Sequence, residues 1–94
     1  MAAYFIGSIK SHEDSWVEEY NAAVPALLGK HGGELVCRSE KFVRYEGEGE
    51  DPDLVIIVKF PSMEAIDAFM SDPEYAPHLA SRIACTDSDI VAIS

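Results

Sequence analysis

Basic residues are scarce in this chain: seven Lys and Arg stand against seventeen Asp and Glu in 94 residues, a formal net charge of −10. A nucleic-acid backbone or an anionic membrane is gripped by clustered cations, so neither is expected as a partner. Cysteine is scarce too. Cys37 and Cys85 lie far apart and outside any Cys-x-x-Cys or Cys/His ligand spacing, so they read as small buried hydrophobes in a reducing compartment. No apolar run is long enough to span a bilayer, and Met1-Ala2-Ala3-Tyr4-Phe5-Ile6-Gly7 carries no basic leader, which together predict a cytoplasmic protein. Motifs of tight spacing are missing as well: there is no P-loop, no Gly-x-Gly-x-x-Gly, no Gly-x-Ser-x-Gly, no histidine pair at ligand spacing and no haem or flavin signature. No cofactor or metal is therefore expected. The turn from Glu46 to Asp53 is rich in oxygen ligands but lacks the spacing of a calcium loop.

What the chain does have is apolar content, at 48% of residues, enough for one domain over residues 1–94 without metal or disulfide staples. Its organising stretch is Asp53-Leu54-Val55-Ile56-Ile57-Val58-Lys59-Phe60. A run this short and β-branched predicts a central strand, and apolar residues at successive positions need cover on both faces. Ala3 to Ile9 reads the same way, as a first strand. Ser11 to Ser15 offers helix caps, with Ser15 and Glu18 at capping-box spacing. Trp16, Tyr20, Val24, Leu27, Leu28 and His31 then form one helical stripe, kinked at Pro25 and ended by Gly32-Gly33.

Glu34 to Cys37 and Lys41 to Tyr45 read as a second strand, bent or bulged near Ser39-Glu40, before the acidic turn. Ser62 caps a second helix with a buried stripe of Met63, Ile66, Phe69 and Met70. Asp72-Pro73 closes that unit, Glu74 to Ala84 forms a short third helix, and Asp89 to Ile93 a closing strand. The order is strand, helix, strand, strand, helix, strand with one extra helix. This predicts an α+β, ferredoxin-like split βαβ sandwich: a four-stranded antiparallel sheet with helices on one face and the two doubly apolar strands side by side in its middle.

The blocks Tyr20-Asn21-Ala22-Ala23-Val24-Pro25-Ala26-Leu27-Leu28, His31-Gly32-Gly33, Phe60-Pro61-Ser62-Met63-Glu64-Ala65, Pro73-Glu74-Tyr75 and Ser88-Asp89-Ile90, in this order, resemble domain-of-unknown-function family 1330. That family belongs to the dimeric α/β-barrel superfamily of ferredoxin-like proteins. The resemblance covers nearly the whole chain and implies a homodimer whose sheets pack face to face. Two departures stand out: Ser39-Glu40-Lys41 replaces a small, glycine-rich continuation after Arg38, and no glycine follows Ile93. Members have no settled activity, and superfamily relatives range from isomerases and monooxygenases to proteins without known chemistry.

The natural cavity of such a domain lies between helix stripes and sheet. His31, on the apolar stripe, is the candidate acid–base group, and Arg38, a cation among apolar strand neighbours, the candidate holder of a carboxylate or enolate. Tyr20, Phe69 and Tyr75 would shape the pocket, and Arg82, sharing a helix face with His78, would supply another wall. Each has a plain structural reading: His31 as a helix-end cap, the aromatics as core, Arg38 as an edge ion pair, and Arg82 with His78 as a solvated face. The expectation is thus a homodimer binding a small organic molecule, with acid–base chemistry of isomerase or monooxygenase type. The competing expectation is a non-catalytic dimeric structural or interaction module.

Overall fold

A computed structural model describes residues 2–94. Along the chain run strand β1 (Ala3–Ser11), helix α1 (Val17–Lys30), strands β2 (Glu34–Ser39) and β3 (Leu54–Phe60), helices α2 (Met63–Met70) and α3 (Ala76–Cys85), and strand β4 (Thr86–Ile93). The strands form one open sheet in the order β2-β3-β1-β4, every neighbouring pair antiparallel. This is the expected α+β split βαβ arrangement, with β1 and β3 central.

Register explains why the two central strands are apolar at successive positions. Ala3 pairs with Phe60 and Phe5 with Val58, and these four side chains meet Val24, Leu27, Ile66, Phe69 and Tyr75 in the core under the helices. The alternate pair, Ile6 with Ile57, points to the opposite face, where Val91 continues the row from β4. Among the described residues, no helix lies there. Phe69 is the hub of the core: its ring stands 4.3 Å from Tyr75, 5.9 Å from Phe60 and 6.1 Å from Phe5, centre to centre.

Helix α1 ends as its glycines predict. Gly32 adopts φ +79°, Gly33 N–H donates to the Leu28 carbonyl and Gly32 N–H to that of Gly29, which satisfies two carbonyls left open by the last turn. Pro25 stays inside one continuous helix. Its start differs from expectation: the Ser15/Glu18 box does not form, because the Glu13 carboxylate takes both the backbone N–H and the hydroxyl of Ser15. At α2 the cap is as read, the Ser62 hydroxyl accepting from Ala65 N–H at 3.1 Å. Met63, however, lies exposed rather than in the stripe.

Three further corrections concern the sheet edges and the thiols. The second strand stops at Ser39 with its irregularity between Leu35 and Cys37, and Lys41 to Tyr45 is not a strand. Ser39 Oγ accepts from Lys41 N–H at 3.0 Å, a local bond that turns the chain away from the ladder. The last strand is longer than expected, since Thr86, Asp87 and Ser88 join it against Ser11, Lys10 and Ile9. Neither cysteine is a buried core thiol: Cys37 is exposed, and Cys85 is half-buried with Sγ donating to Glu13 Oε2 at 3.1 Å. Proton sharing with that carboxylate and burial push the Cys85 thiol above its ordinary range.

Candidate functional site

Between α1 and the sheet lies a cavity of about 460 Å³. Its floor is the helix-side row of the sheet, including Phe5, Ile9, Ile56, Val58 and Ile90, and its wall is the stripe Trp16, Tyr20, Val24 and Leu28 of α1. Phe69 and Arg82 join the lining from α2 and α3, and Ser11, Asp14, Asn21, Arg38, Glu40 and Asp53 supply its other polar groups. The volume suits a small organic molecule with a ring or two, and the lining is the mixture such sites show, mostly apolar with few polar groups. A second hollow, about 990 Å³ and more open, shares Arg82 and Ile90 but is walled partly by the irregular segment between β2 and β3. The cavity under α1, built on regular elements, is the better-formed site.

The structure gathers four of the expected residues, Tyr20, Arg38, Phe69 and Arg82, around this one cavity. Arg38 gets there through register: the irregularity at Val36 shifts the pairing so that Arg38 opposes Ile56, whose side chain faces the helices. It is exposed and sits in no ion pair among the described residues. Tyr75 is placed one layer behind, fully buried, with its hydroxyl 2.7 Å from that of Tyr20. Burial first, and then the neighbouring Tyr75, drive the Tyr20 phenol well above its ordinary range, so Tyr20 holds its proton and serves as a neutral hydrogen-bonding group.

His31 does not line the cavity. Its Nε2 lies 2.7 Å from Asp72 Oδ2, and its ring packs against Phe69 at 6.1 Å. Asp72, a nearly buried carboxylate, also accepts from Lys30 Nζ at 2.9 Å and from Glu74 N–H at 2.9 Å. The bond with His31, the Glu74 amide and Lys30 hold the Asp72 carboxyl far below the usual carboxylate range. This cluster ties the end of α1 to the link between α2 and α3. The sequence marked Asp72 only as part of the Asp72-Pro73 stop after the second helix; its further job needs a partner 41 positions away, which local pattern does not reveal.

The largest departure from the sequence reading is Arg82. It was read as one wall of the pocket or, more plainly, as part of a solvated face with His78; it is 2% exposed, while its neighbour Ile83 is 63% exposed. No carboxylate of the described residues lies within 4.0 Å of its guanidinium, and its Nε is a buried donor with no acceptor. The group does stand close enough to Tyr20 to favour that phenol's ionised form, against the larger opposing effects. No group of three His, Cys, Asp or Glu side chains among the described residues is placed to hold a metal. No helix of the described residues is long and apolar enough to cross a membrane.

Comparison with known proteins adds to this picture. Among solved structures, the chain is similar to the RPA0582 protein of unknown function from Rhodopseudomonas palustris, with 18% identity, TM-score 0.80, and coverage of 98% of this chain and 80% of that one. It is similar to SnoaB, a cofactor-independent oxygenase from Streptomyces nogalater, at 18% identity and TM-score 0.70 over 99% of this chain and 91% of that one. It also resembles a dimeric ferredoxin-like protein of unknown function from Jannaschia sp. CCS1, at 16% identity and TM-score 0.72 over 100% and 99% of the two chains. At these identities the likeness establishes the ferredoxin-like fold. Among curated proteins there is no significant match. A match over residues 2–94, with the sheet order and helix placement described above, shows that the chain belongs to the family defined by domain of unknown function DUF1330.

Proposed function

We propose that this protein is a homodimer that binds a small organic molecule in the cavity between α1 and the sheet, and that acid–base chemistry on that molecule is its activity. The observation that carries the reading is the cavity itself: apolar on floor and wall, yet reached by Tyr20, Arg38 and Arg82 from three different elements. A packed core of this size has no need of such a space, and packing it shut would be the default. Phe69 would fix the shape of the inner wall, and Tyr75 would hold the Tyr20 hydroxyl in place. His31 belongs to the Asp72 cluster in this reading, so the proton-handling groups are those of the cavity and of the bound molecule. The SnoaB likeness supports a monooxygenase-like activity by analogy of fold alone.

The second copy in the proposal covers the open face of the sheet. Ile6, Ile57 and Val91 line up there across three strands, and Val91 and Ile93 are each 54% exposed in the single chain. A contiguous apolar face of that kind is not left in water by a monomer. The dimeric ferredoxin-like structures of similar fold support the same assembly.

A thermal-shift screen against small organic acids, enols and neutral ring compounds tests the binding claim. A compound at a hundredfold excess over its Kd raises the midpoint by about 10 °C or more. The gain disappears in Ile56→Phe, which fills the cavity from its floor. Failure of every compound class, or equal shifts in Ile56→Phe, would refute the reading.

A further inference from the structure

We infer that the ligand of the cavity under α1 is a monoanion, an organic carboxylate, enolate or phenolate with an apolar body, and that Arg82 is the residue that recognises its charged head. The inference rests on the cavity being a ligand site and adds the chemical class of what enters it.

A guanidinium out of water is costly unless its donors are matched, and buried arginines are accordingly found paired. Arg82 breaks that rule. It is 98% covered, no carboxylate of the described residues stands within 4.0 Å, and its Nε–H has no acceptor. Its position in the last turn of α3 gives it favourable helix-dipole interaction, but that effect supplies no acceptor for Nε and operates equally well on an exposed side chain. Nothing among the described residues completes Nε, whereas the guanidinium, beside the Tyr20 hydroxyl, lines the cavity into which a ligand would come. The planar, forked donor set of a guanidinium matches two oxygens of a carboxylate or the single oxygen of an enolate or phenolate. Tyr20, which keeps its proton and lies beside Arg82, is the natural second donor to the same oxygen.

The charge balance of the site limits the ligand further. Arg38 adds one exposed cation, while Asp14, Glu40 and Asp53 also line the cavity. Asp53 is held by Lys10 and by Ser11 N–H, Asp14 by the Ser11 hydroxyl, and none of the three carboxylates stands within 4.0 Å of the Arg82 guanidinium. Three carboxylates and a net charge of −10 oppose a phosphate or other multiply charged head. The remaining lining, Phe5, Val24, Leu28, Ile56, Val58 and Phe69, selects an apolar body.

Three naphthalenes that differ only in the head test the idea by calorimetry on the whole chain: 2-naphthoate, 2-naphthalenemethanol and 2-naphthylmethylammonium. The naphthoate is expected to bind about tenfold or more tightly than the other two, the discrimination typical of a buried hydrogen-bonding site. In Arg82→Met that preference falls to about twofold or less while the alcohol keeps its affinity, since the apolar body still fits. If Arg82→Met does not fold, Arg82→Gln is measured against the same criterion. Equal binding of all three heads by the unaltered protein leaves the cavity a ligand site and overturns the anion. A preference for naphthoate that survives in the Arg82 variants overturns the role of Arg82. No binding of any head, together with no effect of Ile56→Phe in the screen, removes both readings.

Discussion

Asp72 and Arg82 are the two buried charged side chains among the described residues, and they are treated in opposite ways. Asp72 is surrounded by donors from Lys30, His31 and the Glu74 amide, so its ionised form is strongly favoured in the folded chain. A carboxyl whose folded value is depressed adds stability that is complete above its unfolded value, near 3.8, and is lost as pH falls below it. Urea or thermal unfolding from pH 7 to pH 2 is therefore expected to show an acid limb beginning near pH 4. Asp72→Asn lowers the midpoint by several degrees at pH 7 and flattens that limb; an unchanged limb would assign it to other carboxyls. Arg82 has no such company, and replacing an uncompensated buried charge with an apolar side chain of similar length is often stabilising. Arg82→Met should melt higher than the unaltered chain, the usual trade of stability against the binding role proposed for this group. The sequence named Arg82 as a candidate wall of the pocket but hid its burial, and it hid the Asp72 cluster altogether. Arg82 and Ile83 invert the ordinary preference of charge for water and apolar groups for the core, and such inversions are where local pattern fails and function is found.

Among the elements, those whose form follows from their own residues were legible. The doubly apolar runs gave β1 and β3, the 3.6-residue stripe gave α1, and Ser62 gave the start of α2. Gly32 was read as the stop of α1 and adopts the left-handed backbone that stop requires. A Cβ there would also approach the Pro61 ring at 3.0 Å, so Gly32→Ala should cost about 1–2 kcal/mol, measured by urea unfolding. Elements set by competition between bonds were not legible. Glu13 captured the Ser15 that was to cap α1, and Ser39 ended β2 by bonding to Lys41, although Phe42, Val43 and Tyr45 have the composition of a strand. The candidate site divides the same way: stripe and register brought Tyr20, Phe69 and Arg38 to the cavity, while His31 was drawn off by a distant partner. Phe69 serves both core and cavity, and Phe69→Ala should cost about 3–5 kcal/mol in the same unfolding experiment.

For the molecule as a whole, one sheet face is covered by helices and the other is open, with the apolar row Ile6, Ile57 and Val91 across it. The proposed second copy resolves that asymmetry. Val91→Lys places a charge on the open face at a position exposed in the single chain, so it should leave the fold intact and reduce the sedimenting species to one chain at micromolar concentration. A dimer that persists unchanged would place the contact elsewhere. The cavity lies on the opposite, helix-covered side of the sheet, so the proposed binding can be followed without disturbing the proposed assembly. The most direct measurement records the Arg82 Nε–H resonance in a ¹⁵N-correlated spectrum while 2-naphthoate is added to the whole protein. The resonance should move and saturate at one naphthoate per chain, with the Arg38 Nε–H shifting less. A stationary Arg82 signal, with changes confined to surface residues, would contradict the assignment of the cavity as an anion site.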